Sequence, residues 1–146
     1  MKTIVGFAVA ASLALPVMAQ GDLLSAAQVE LAQWVHVGTM PCELGQSVDL
    51  AADPGAMGFF SLRIGRARYR VAPELTTTGA IRLEDKAAGI VWLQLANKSM
   101  LMNQKLGRRL ADECKSATQQ VVAEEMRLNP PASVLDGPAP TGVVSK

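Results

Sequence analysis

The chain has 146 residues, 14 basic and 13 acidic side chains and a formal net charge of +1, a balance that argues against strong nucleic-acid binding. Hydrophobic residues make up 49% of it, enough for one domain with a modest core. A single histidine and two cysteines leave little from which to assemble a nucleophilic triad or a zinc site.

Lys2 and the apolar run Thr3 to Leu15 precede Val17-Met18-Ala19, as in a secretory signal cleaved before Gln20. The run falls short of the ~18 to 20 apolar residues that a membrane span requires. Export to the periplasm follows as an expectation, with residues 1–19 as the signal and no membrane anchor. Removing this segment takes away one Lys and no acid, so 14 − 1 = 13 basic residues face 13 acidic ones.

Ser25 followed by Gln28 resembles a capping box for a helix over Ala26 to Gln33, but Val29, Leu31, Gln33 and Val35 also fit a strand. Both readings stay open for 20–33, with Trp34 to Val37 read as extended. Cys42 and Cys114 are the only cysteines. In an oxidising compartment they are expected to pair, against a competing reading as two buried thiols. Closing that loop is worth roughly 4 to 5 kcal/mol in the chain-entropy account.

Between the cysteines the hydrophobic period is two. Val48 and Leu50 mark a short strand that ends at Asp53-Pro54-Gly55; Phe60, Leu62 and Ile64 alternate with Ser61 and Arg63, and Ala67, Tyr69 and Val71 with Arg68 and Arg70. Gly65-Arg66 between them suits a two-residue type II′ turn. Ile81 and Leu83 alternate with Arg82 and Glu84. Gly89 to Leu95 is apolar on both faces and reads as a central strand carrying Trp92. Ser99 to Gln104 and Arg108 to Glu113 complete the set, around a turn at Lys105 to Gly107. The fold class expected is mainly β: a small antiparallel barrel over 34–114, closed by one disulfide, with short flanking helices. Trp92, Met100 and Met102 are expected in its core.

After Cys114, Ser116 and Gln119 form another capping pattern, and a helix is expected over 115–129 until Pro130-Pro131 stops it. Residues 130–146, rich in Pro, Gly, Ser and Thr, read as a disordered tail.

No enzyme activity, cofactor or metal is expected. His36 reads as a structural histidine, and Glu84-Asp85 and Glu124-Glu125 as solvated surface. Arg68 and Arg70 should share a strand face, with Arg63, Arg66 and Arg82 near enough to form a basic patch. An ordinary solvated face that discourages edge pairing is the preferred reading of it.

The order of features resembles a known family. An N-terminal Cys42, short alternating strands, Thr76-Thr77-Thr78-Gly79-Ala80, an aromatic strand at Ile90 to Leu95, an Asn97-Lys98 turn and a closing Cys114 look like the MliC/PliC-type inhibitors of C-type lysozyme. The resemblance implies an exported barrel whose Ser-Gly-Ala loop and Lys-Gly loop enter the lysozyme cleft. Thr78 falls at the serine position and Gly79-Ala80 match, while Arg82 stands where the family has a tyrosine. Without a gap Asn97 aligns with the lysine; a one-residue shift restores Lys98. The implied partner is C-type lysozyme, and the implied partner-binding residues are Thr78, Gly79, Ala80, Arg82, Asn97 and Lys98. An accessory envelope-binding module and a carrier of small apolar ligands are the other functions weighed.

Overall fold

The computed structural model describes residues 23–130. The expected signal at 1–19 and, apart from Pro130, the expected tail lie outside the described residues.

Eight strands run in chain order around one antiparallel sheet: β1 (Gly38–Pro41), β2 (Ser47–Ala52), β3 (Phe60–Ile64), β4 (Ala67–Glu74), β5 (Ile81–Asp85), β6 (Ile90–Gln94), β7 (Ser99–Asn103) and β8 (Arg108–Cys114). The sheet curls into a nearly closed barrel. Its first and last strands meet where the Lys115 amide donates to the Pro41 carbonyl at 3.0 Å and where Cys42 and Cys114, 72 positions apart in sequence, form a disulfide.

Alternation explains the strands. Val48 and Leu50 on β2, Phe60 and Leu62 on β3, Val71 on β4, Leu83 on β5 and Leu101 on β7 point inward and are buried, together with Met40 and Trp92. Each large side chain buried this way contributes about 1.5 to 3 kcal/mol before chain entropy is subtracted. The β3–β4 hairpin has the two-residue turn that its sequence demands: Ile64 pairs with Ala67, and Gly65 takes φ +54°, a value that suits glycine. On β6 all residues but Leu93 are buried, in keeping with its two-faced apolar sequence.

Both capping patterns form. Ser25 and Gln28 cap α1 (Ala26–Ala32), and Ser116 and Gln119 cap α2 (Ala117–Leu128), each pair bonding reciprocally. The open choice at 20–33 is settled for its described part as a helix. Gln28 Nε2 anchors it by donating to the Pro73 carbonyl of β4 at 2.7 Å.

Two expectations need correction. Met100 and Met102 are only half-buried and alternate with buried Ser99 and Leu101, so they belong to the outer face of β7 and not to the core. The pleat decides this, because Leu101 takes the inward position. Trp34, expected to be extended, lies in the turn that ends α1, and the first strand begins only at Gly38. Strand β1 carries no alternating signal: it is four residues long, with Gly38 and Pro41 at its ends.

In such a meander alternate connections leave by the same end. Those after β2, β4 and β6, with the start of β1, form one rim, called upper here; those after β1, β3, β5 and β7 form the lower rim, and the end of β8 meets the end of β1 at the disulfide.

Candidate functional site

The upper rim holds the two loops singled out by the sequence. The first, between β4 and β5, is braced from within: Thr76 Oγ1 donates to the Ala80 carbonyl at 2.8 Å. Thr78 is exposed at its tip, its hydroxyl 3.5 Å from that of Thr76. Gly79 has φ +74°, with open space where a Cβ would stand. The loop therefore presents a hydroxyl beside bare backbone, with Ala80 turning back half-buried into β5.

The second connection, between β6 and β7, is a tight turn closed by the Leu95 amide donating to the Lys98 carbonyl at 2.8 Å. Asn97 is half-buried in it. The Lys98 ammonium folds down onto its own barrel, donating to Glu113 Oε1 at 2.5 Å with Asp112 Oδ1 at 3.6 Å. The hydrogen bond with Glu113 raises the Lys98 pKa above its ordinary 10.5. The Glu113 pKa is lowered from 4.5 by the hydrogen bonds from Lys98 and then Lys115. Lys115 Nζ is 2.9 Å from the other Glu113 oxygen, and Arg109 pairs with Asp112. Arg82 is occupied as well: it lies across from Glu74 and Leu93, and its guanidinium pairs with Glu84 two places along the strand.

Thr78, Gly79, Ala80, Asn97 and Lys98 thus share one rim, with the β5–β6 hairpin between the two loops. The cationic member points home instead of outward.

A second polar cluster ties both flanks to this rim. The His36 amide donates to Gln94 Oε1 at 2.8 Å, and Gln94 Nε2 donates to the Trp34 carbonyl at 2.9 Å. His36 Nδ1 lies 2.9 Å from Ser116 Oγ, the hydroxyl that caps α2. Fully buried Gln119 donates to the Leu95 carbonyl and to Ser99 Oγ, both at 2.8 Å. Every one of these bonds positions backbone or a helix end, which is structural work.

Exposed apolar side chains on the same rim escaped the sequence reading. Trp34 is 69% exposed and Met57 80%, with Val37 and Leu75 also open to solvent. A groove of about 380 Å³ runs between α1 and the β2–β3 loop, bordered by Val29, Val37 and Met57 with Phe59 at its wall. The available signal was large apolar residues next to Pro and Gly in loops: Met57 follows Pro54-Gly55, and Leu75 follows Pro73.

The five arginines of the expected patch divide by register. Arg63 pairs with Asp49; Arg70 reaches Asp53 at 3.4 Å and stacks 3.7 Å above the Phe59 ring. Arg66 and Arg68 have no ion-pair partner among the described residues. The described residues contain no cluster of three or more metal-ligating side chains, and no helix among them is long and apolar enough to cross a membrane.

No family model, no curated protein and no solved structure matches this chain.

Proposed function

We propose that this is an exported, non-catalytic barrel that binds C-type lysozyme through its upper rim and obstructs the active-site cleft. The observation that carries the reading is the gathering of an exposed hydroxyl-and-glycine loop, Thr78–Gly79, on a rim that also exposes Trp34, Met57 and Leu75. Aromatic and Met side chains enrich the centres of protein interfaces, and a small hydroxyl beside open backbone can approach a carboxylate closely. The order of strands, loops and cysteines resembles lysozyme inhibitors, which adds to the case.

Lys98 enters this scheme only by exchanging Glu113 for a carboxylate of the partner, so Thr78 and the apolar rim carry most of the binding. Muramidase assays with stoichiometric purified protein test the proposal. Absence of inhibition at micromolar protein across several C-type lysozymes overturns it.

A second reading, an envelope-binding barrel without inhibitory action, is favoured by the compensation of both expected cations: Lys98 by Glu113 and Asp112, Arg82 by Glu84. Binding to peptidoglycan fragments with full muramidase activity retained supports that alternative.

A further inference from the structure

Two parts of the barrel differ in how their charges are compensated. Along the second half of β8 and the turn beside it, Lys98 and Lys115 share Glu113, and Arg109 reaches Asp112. At the lower end three exposed guanidinium groups have no carboxylate partner among the described residues: Arg66 in the β3–β4 turn, Arg68 beside it on β4, and Arg108 at the start of β8. Lys105 is exposed in the β7–β8 turn and donates only to the Ala87 carbonyl, at 2.5 Å. That bond ties two lower connections together without neutralising the charge. Of the acids there, Asp85 accepts the Ala88 amide within its own turn, and Glu43 is the exposed one. Arg68 stands directly across from Arg63, an arrangement that like-charge repulsion disfavours.

The same end carries two protruding leucines. Leu44, between β1 and β2, is 90% exposed and has φ +57°, a left-handed conformation uncommon outside glycine. Its loop is clamped at the base by the Cys42 amide donating to the Gln46 carbonyl at 2.9 Å and by the disulfide, so the side chain is held out by a rigid support. Leu106, in the β7–β8 turn, is 61% exposed.

We infer that the lower rim is a docking surface for an anionic phospholipid bilayer. Guanidinium groups bind headgroup phosphates in two-pronged fashion, and exposed leucine tips on the same rim can enter the interface between headgroups and acyl chains. A protein partner fits less well. Its interface core is a contiguous apolar patch, whereas these leucines stand on separate connections with cations among them. A fluid bilayer accommodates separated tips. Docked this way, the barrel turns the Thr78 rim away from the membrane, free to meet a partner. The inference does not depend on what that partner is.

Sedimentation of the full chain with vesicles of phosphatidylcholine alone, and with phosphatidylglycerol added, tests it at low and high salt. Residues 1–22 are common to all variants, so the informative readings are the dependence on phosphatidylglycerol and the differences between variants. Partition onto the anionic vesicles should exceed that onto neutral ones and fall with salt. The R66S/R68T variant should lose about tenfold or more of that partition, each cation near an anionic surface being worth several-fold. The L44N/L106S variant should also weaken it, whereas T78A, at the opposite rim, should leave it unchanged. The substituted side chains are exposed, so an unchanged thermal midpoint verifies folding. Equal partition onto both vesicle types, or wild-type partition by the folded R66S/R68T variant, overturns the inference.

Discussion

Lys98, on the turn after β6, donates to Glu113 near the end of β8 at 2.5 Å, and this pair fixes where the cation of the second loop points. Glu113 is held below its ordinary pKa of 4.5, so its share of stability is present above that value and is lost as pH falls through the lowered one. Lys98 is held above 10.5, so its share is present below that value and is lost as pH rises through the raised one. Both groups are partly solvated, and Lys98→Met should cost no more than about 1 kcal/mol at neutral pH. Denaturant midpoints measured across pH should show the gap from wild type closing in strong acid and again in strong alkali.

Gln119 makes a stronger claim on stability. Its amide group donates to Leu95 and Ser99 while accepting from the Ser116 amide at 3.0 Å, all in a fully buried position. Gln119→Leu leaves those groups without partners and should cost about 2 to 3 kcal/mol. Chemical denaturation reads this directly, and an exposed control such as Gln120→Leu should shift little.

Reducing the Cys42–Cys114 bond frees a segment of 72 positions. The chain-entropy account gives a loss of about 4 kcal/mol. Thermal melts with and without reductant, repeated on a Cys42→Ser, Cys114→Ser double variant, should agree with each other and fall well below the oxidised protein.

On the upper rim, function and stability should separate. Thr78 is exposed and makes one long contact, so Thr78→Ala should alter unfolding free energy by less than about 0.5 kcal/mol. Under the proposed binding of lysozyme it should nonetheless raise the inhibition constant about tenfold or more, the usual effect of removing a hydrogen bond to a charged group. Trp34→Ala should behave alike, as an exposed aromatic anchor does. Lys98→Ala should weaken inhibition less than either, since Glu113 already engages that ammonium.

Most of the barrel was legible because its signals are local. Period-two alternation marked β2 through β5, a two-faced apolar run marked β6, and a turn at Lys105 to Gly107 separated β7 from β8. Gly65-Arg66 set a hairpin register, and Ser116/Gln119 announced α2, while Ser25/Gln28 left α1 open between helix and strand. β1 left no such trace in four residues bounded by Gly and Pro. The methionines on β7 were misplaced because apolar character alone does not say which side of a pleat faces inward.

The sequence by itself determined the types of β2 through β8 and of α2, since each is written in the spacing of near neighbours, and it narrowed any disulfide to the one pair of cysteines. Only the tertiary structure decided which charges are free. Arg63 finds Asp49 across β2 and β3, and Lys98 finds Glu113 across β7 and β8, while Arg66 and Arg68 find no acid among the described residues. Charge compensation acts across strands, through register and the closure of the barrel, and these bring together side chains that lie far apart along the chain.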